Sequence, residues 1–290
     1  QAREKSTASL SRRAAEKERD AAAKAASLPL SDRASAQTRA KDAEICALVT
    51  SPEQARIAQA AGASRLYASA DALNQGTWSD DMLTRVVPWL DEVFREADHS
   101  RLDPCIRTGA PVAVGNISEL ACALDCHAMA EIRECIPLHN DYAVSALVNS
   151  GACGVWLNSE LTLAEIAHIA ENASVPVGYL VSGRIRTMTS EHCVLMTTGK
   201  CIHDCDTCKL RQEPHYLRGI DNDYLPVTTD TQGRSRIWAP QPFDAAPELD
   251  VLLAHGVTRL MVDATLLTKE QTKHAVARVA SAVAAVKQGR

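Results

Sequence analysis

From residue 44 to the C-terminus, short apolar runs alternate with longer amphipathic stretches, and this alternation limits the folds open to the chain more than any other feature. Eight runs read as strands, at 44–50, 65–69, 86–93, 111–115, 131–138, 154–158, 176–182 and 259–264. Strands separated by helix-length connections pair in parallel, because a parallel neighbour needs a crossover. Helix signals fill the gaps. Ser51 precedes Pro52 as an N-cap before a first-turn proline, Asn116 and Glu119 stand at capping-box spacing, and Gly151 and Gly256 sit where helices should stop. Eight units is the count of a closed barrel. An open doubly wound sheet would carry a glycine-rich phosphate turn after its first strand, where this chain has Thr50-Ser51-Pro52-Glu53. The expected fold is therefore α/β, a TIM-like (β/α)8 barrel.

The alternation fails once, between residues 183 and 244. Within this break the segment 187–210 places Cys193, Cys201, Cys205 and Cys208 in the spacing C-x7-C-x3-C-x2-C, with Lys200, His203, Asp204 and Asp206 between them. So polar a stretch is no core strand; it reads as a loop wrapped around a metal centre. Four thiolates suit either a tetrahedral zinc or an iron–sulfur cluster, and spacing alone does not choose. Residues 211–243 that follow have strand-like composition and no helix signal. In barrel enzymes the loops after strand C-termini build the active site, so a cysteine-rich insertion after the seventh strand is the place to expect function.

Residues 1–43 mix Ala with Arg, Lys and Glu without a continuous apolar stripe, and read as a solvated helical connector broken at Pro29. The chain opens at Gln1 in what looks like a helix interior, so it is expected to be part of a longer polypeptide whose N-terminal half is its partner. A net charge of −5 provides no global field for nucleic acid. With no long apolar run and no signal-peptide pattern, the expectation is a cytoplasmic protein without a membrane partner. Ten cysteines in that setting favour metal ligation and buried thiols over disulfides.

Candidate site residues follow from position. Arg184 and Arg186 come just after the seventh strand, where two guanidiniums on one side would clamp a small anionic donor; pairing with nearby carboxylates is the alternative. Arg234 and Arg236, after Gly233, form a second basic pair for substrate or phosphate. Glu191, next to the first loop cysteines, is a candidate acid or base if desolvated. His139 and Asn140, at the expected end of the fifth strand, would offer hydrogen bonds to substrate. Trp156, Trp238 and Tyr216 are candidates to stack a base, with packing the competing role. Cys193 beside His192 is the one arrangement that tempts a cysteine-protease reading. Cys46, Cys105, Cys122, Cys135 and Cys153 are expected to be core or structural residues.

The segments GYLVSGRIRTMTSEHCVLMTTGKC, YLPVTTD and GRSRIW, together with PVAVGNISEL, VWLNSELTLAEI and LLAHGVTRLMVDAT, resemble the peptidase U32 family, historically called collagenase-like, over most of 44–265. LPLSDRASAQTRAKDAE resembles the tail of the accessory domain preceding a second U32 half in long members. The resemblance implies a β/α barrel and, in the better-understood branches, a four-cysteine 4Fe-4S cluster. Those branches hydroxylate an RNA base or a quinone precursor without molecular oxygen, with prephenate as the hydroxyl source in RNA-modifying members. The peptidase name rests on older assignments and supplies one alternative function; a zinc-stabilised binding module for a missing catalytic half is another. Some relatives use a distant fourth ligand, whereas here no cysteine follows Cys208, so the compact loop must supply all four.

Overall fold

A computed structural model describes residues 42–205, 207–220 and 222–289. The expected helical connector lies outside them apart from its last residues. Strand β1 (Glu44–Val49) leads into helix α1 (Pro52–Ala60), then β2 (Arg65–Ser69), the short helices α2 (Ala70–Gln75) and α3 (Asp80–Leu83), and β3 (Val86–Trp89). Helix α4 (His99–Leu102) precedes β4 (Pro111–Val114), followed by α5 (Ile117–Asp125), β5 (Met129–Ile132), α6 (Asp141–Asn149), β6 (Gly154–Trp156), α7 (Leu163–Asn172) and β7 (Val177–Gly183). Four strands then follow with only short 3-10 turns (Val194–Thr198 and Leu210–Gln212) and no α-helix between them: β8 (Arg186–Ser190), β9 (His215–Arg218), β10 (Tyr224–Thr229) and β11 (Ser235–Trp238). The chain closes with β12 (Phe243–Asp244), α8 (Leu249–Ala254), β13 (Val257–Asp263) and α9 (Lys269–Lys287).

Strands β1 to β7 and β13 pair in parallel around a complete ring. Ile45 stands opposite Leu260 on one side of β1, Ala47 opposite Leu66 on the other, and the circle shuts where Trp156 meets Gly178. The barrel expected from the alternation is the observed fold. Helix α1 starts at the expected cap, the Ser51 side chain accepting from Gln54 N, and at α9 Thr268 forms a capping box with Gln271 that the sequence reading did not name. Asn116 caps α5, but Glu119 does not complete the box; its buried carboxyl accepts instead from Gly115 N, one residue before the cap, at 2.8 Å.

Alternation along each strand builds two layers of core. On β13, Leu260 and Val262 point out to the helices, where they pack with Val276 and Val279 of α9, while Met261 points in. The barrel interior holds Cys46, Tyr67, Val87, Trp89, Ala113, Trp156 and Met261. The three rings meet edge to face, with centroids 5.2 to 5.5 Å apart. Gly178 makes room for them, since a Cβ there would stand 2.4 Å from the Trp156 ring. Deeper in, Glu131 is buried and accepts from Tyr67 Oη at 2.9 Å and Trp156 Nε1 at 3.1 Å, with Arg65 and Arg259 paired to it. The polar tips of both rings are thus satisfied away from the mouth.

Two strands end well before the sequence reading placed them. β3 stops at Trp89 and β5 at Ile132, so Asp91, Glu92, Arg133 and Glu134 are loop residues over the C-terminal mouth. Above that mouth lies an antiparallel sheet in the order β8-β11-β10-β9, the insertion expected to be strand-like. Thr189, Arg236 and Thr228 are cross-strand neighbours and share one face, whereas the opposite face carries the buried pair Val227 and Ile237. No helix among the described residues is long and apolar enough to cross a membrane.

Candidate functional site at the barrel mouth

The small sheet roofs the mouth and leaves two connected lobes of about 460 and 610 Å³. They share Leu48, Trp89, Glu92, Arg133, Arg186 and Trp238, all from strand ends or from the roof. Between roof and barrel runs a lattice of ion pairs. Arg236 donates to Glu92 at 3.1 Å, Asp230 at 2.9 Å and Asp91 at 3.3 Å; Arg101 bridges Asp71, Asp91 and Asp98; Thr231 N donates to Asp71. Burial alone would push Glu92 up, but Arg186, Arg133 and Arg236 around it hold its carboxyl well below the usual carboxylate range. The same contest lowers Glu134, where Arg133 and Arg186 outweigh burial. Arg133 is itself buried, lies 4.8 Å above the Trp89 ring and donates to Leu90 O.

The candidate arginines divide. Arg184 lines the larger lobe and its Nη1 donates to Ala239 O at 2.8 Å and to Pro240 O, which ties down the chain between β11 and β12. Nε and Nη2 of Arg184 have no protein partner among the described residues. Arg186 lines both lobes, with its fork engaged by Glu92 at 3.2 Å and Glu134 at 3.0 Å. The pair therefore does not form a single clamp. Strand alternation ends at Gly183, whose φ of +143° turns the chain, so residues 184 and 186 do not inherit a common side. Arg234 lines neither lobe; it is buried in a two-pronged pair with Asp98. Arg236 borders the smaller lobe, held by its three carboxylates.

Three further expectations are corrected by position. Glu191 lies outside both lobes and forms an ion pair with exposed Arg95, whose hydrogen bond holds its carboxyl low, the reverse of a desolvated acid. His139 is exposed and lines neither lobe, and the Asn140 side chain is committed to capping α6, accepting from Ala143 N at 2.9 Å. Both lie past Ile132 because β5 ends there. Of the rings, Trp156 and Trp238 are buried, while Tyr216 stands exposed on β9. Cys135, expected in the core, lies on the wall of the larger lobe with its thiol directed to Gly115 O.

The four loop cysteines are free and partly exposed. Burial raises the Cys205 thiol, and the nearby thiols of Cys193, Cys208 and Cys201 raise it further, so the four share one locality. Gly233 of the β10–β11 hairpin, at φ +76°, packs against them: a Cβ there would stand 3.3 Å from Cys205 Sγ. The thiols are neighbours but not closed into a shell, because among the described residues no three His, Cys, Asp or Glu side chains are assembled to hold a metal ion. No loop cysteine lines a lobe, though Arg211 and Gln212, just after Cys208, border the smaller one.

Sequence reasoning missed Asp71, Asp91, Glu92, Arg133 and Glu134, all at the mouth. The signal was available, since charged residues directly follow the apolar runs of the third and fifth strands, but the runs were drawn through them.

Fold and site together define a β/α barrel protein whose candidate site lies under a cysteine-bearing insertion at the C-terminal mouth. Residues 93–290 match the model of Peptidase family U32, and the chain belongs to that family. No curated protein matches it. Among solved structures it is similar to one described as "Native KDPGal structure", at 9% identity over 84% of this chain and 96% of that one, TM-score 0.48. Thiamine phosphate pyrophosphorylase from Pyrococcus furiosus is similar at 13% identity over 85% and 98%, TM-score 0.43. The YdjI aldolase from Escherichia coli K12 is similar at 9% identity over 88% and 95%, TM-score 0.44.

Proposed function

We propose that this chain is the thiolate-bearing part of a U32-family enzyme that hydroxylates an RNA base or a related aromatic substrate without molecular oxygen. The observation that carries this reading is the gathering of four free thiols on one loop beside a tryptophan-lined mouth. Cys193, Cys201, Cys205 and Cys208 are the residues to hold an iron–sulfur cluster, and their donor set fits one: four thiolates, no disulfide, and a glycine hairpin that lets the chain approach them. A bound cluster would supply one-electron chemistry. The chain's own groups do the rest. Trp89, Trp156 and Trp238 border an aromatic substrate, and the spare N–H groups of Arg184 are placed to meet a carboxylate of an anionic hydroxyl donor. Arg186, Glu92 and Glu134 fix one another and keep the wall between the lobes rigid.

The peptidase reading gains no support from geometry. Among the described residues no imidazole hydrogen-bonds a Ser or Cys side chain; His215 and His255, for example, are bonded to Leu210 O and to Glu171.

Anaerobic purification with metal and sulfide analysis tests the proposal, followed by mass spectrometry of RNA from cells with and without the full-length protein. Brown protein with iron and acid-labile sulfide, and a mass increase of one oxygen on one nucleoside, is the expected result. Colourless protein with stoichiometric zinc would overturn the cluster and favour a zinc-stabilised binding module.

A further inference from the structure

Most charged groups around the larger lobe are spent on one another; Arg184 is fixed through Nη1 on Ala239 O and Pro240 O and keeps Nε and Nη2 without a protein partner among the described residues. Glu92 and Glu134 are held by arginines, and Glu160 is exposed at the rim. Asp263 differs. It ends β13, lines the larger lobe and accepts only from Thr265, through a 2.9 Å bond from Thr265 N to Oδ1. No ion pair reaches it among the described residues. Its placement is built in, because Gly183 packs directly on it: a Cβ at Gly183 would stand 2.8 Å from Asp263 Cβ. An aspartate left without a counter-ion in a partly enclosed cleft is costly unless a ligand completes it. Burial accordingly raises its carboxyl, with Thr265 and the more distant Arg186 opposing and Glu134 adding to the rise.

The walls near it are apolar and flat. Met261 stands two residues before Asp263 on β13 with Leu180 opposite it, Leu48 of β1 stands opposite Asp263, and Trp89, Trp156 and Trp238 also line the lobe. Trp156 Nε1 is used by Glu131 and Trp238 Nε1 by Thr228 Oγ1, so both indoles turn their polar edges away and leave ring carbon for the lobe. Trp89 already carries the Arg133 guanidinium on its ring.

We infer that the larger lobe binds a flat aromatic group bearing a positively charged nitrogen, with Asp263 as its counter-ion. The carboxylate supplies the opposite charge, and the tryptophans supply faces that attract cations and flat rings alike. None of the loop thiols lines this lobe, so the site would take its ligand whether the loop holds iron, zinc or neither.

The probes are benzamidine and its neutral relative benzamide, titrated into the full chain while tryptophan emission is followed. Three of the four tryptophans line the lobe, so occupancy should be visible. Benzamidine is expected to bind at least tenfold more tightly than benzamide. Asp263→Asn keeps the acceptor for Thr265 N and should remove the benzamidine advantage while its melting curve stays cooperative. A benzamidine advantage that survives in Asp263→Asn overturns the inference. Should the variant fail to fold, the wild-type ratio still decides: equal affinity for benzamidine and benzamide means that Asp263 contributes no charge to the site.

Discussion

Arg234 and Asp98, 136 residues apart, form a two-pronged ion pair at 3.1 and 2.6 Å with both side chains almost fully buried. One lies in the β10–β11 hairpin of the roof, just before β11, and the other in the turn before α4, so the pair fastens roof to barrel. Arg101 reaches the same carboxylate at 3.1 Å. Burial would raise the Asp98 carboxyl, but hydrogen bonds from Arg234 and Arg101 bring it below its ordinary value.

Arg234→Met should therefore destabilise the fold by about 3 kcal/mol, at the low end for a broken buried pair because Arg101 remains. Because the folded-state pKa of Asp98 is depressed, the stabilisation is present above the unfolded-state value near 3.8 and lost as pH falls through the folded one. Urea unfolding at pH 7 and pH 3 checks both points: the gap between wild type and variant should narrow at the lower pH. An unchanged midpoint at pH 7 would show that the roof is held by other contacts.

Glu119 gives the opposite sign. Burial pushes its carboxyl up to about 8, against a hydrogen bond from Gly115 N and the charge of Arg133. Between its unfolded value near 4.5 and about 8 the folded state holds a proton that the unfolded state has released, so stability falls as pH rises through that window. The slope for one such group is about 1.4 kcal/mol per pH unit. Glu119→Gln keeps an acceptor for Gly115 N and removes the titration. It should melt above wild type at pH 8 and close to it at pH 5; parallel curves at both pH values would show that Glu119 does not hold its proton.

Gly178→Ala should disturb the barrel interior, because the new methyl meets the Trp156 ring and no backbone shift is free within a closed ring of strands. The expected cost is about 1–3 kcal/mol, the range for overpacking a close-packed site. Tryptophan emission should shift along with the denaturation midpoint. If neither moves, Trp156 has room that its contacts with Tyr67 and Trp89 do not show.

How far the sequence could be read follows from which interactions are local. The eight strands and the caps at Ser51 and Asn116 depend on periodicity and on side chains bonding a few residues away, which a single sequence displays. The mouth depends on pairs such as Thr189 with Glu92, at 2.7 Å across 97 residues, and Arg236 with Asp91, and no spacing rule announces these. Arg184 and Arg186 were recognisable as mouth residues, but their partners are carbonyls of residues 239 and 240 and carboxylates on two other loops. Glu191 illustrates the same limit, since its environment is set by Arg95, 96 residues earlier. The four thiols stood out as a group because they fall within sixteen consecutive residues.

That confinement leads to an expectation for the loop itself. None of Cys193, Cys201, Cys205 and Cys208 belongs to either layer of the barrel core. The segment is anchored by buried Leu195 and by Val194 N donating to Ser235 Oγ at 3.0 Å, neither of which needs a thiol. Replacing all four cysteines with Ala should therefore leave the metal-free protein nearly as stable as wild type, each change lying within about 0.5 kcal/mol as for ordinary surface substitutions. Metal changes the comparison, because an ion or cluster bound only by the folded loop adds stability in proportion to the logarithm of its free concentration over its dissociation constant. Wild type should thus gain melting temperature on anaerobic reconstitution with iron and sulfide, and the quadruple variant should gain none. Equal responses would mean that these thiols do not hold the metal, and a variant that fails to fold without metal would mean that they pack the barrel after all.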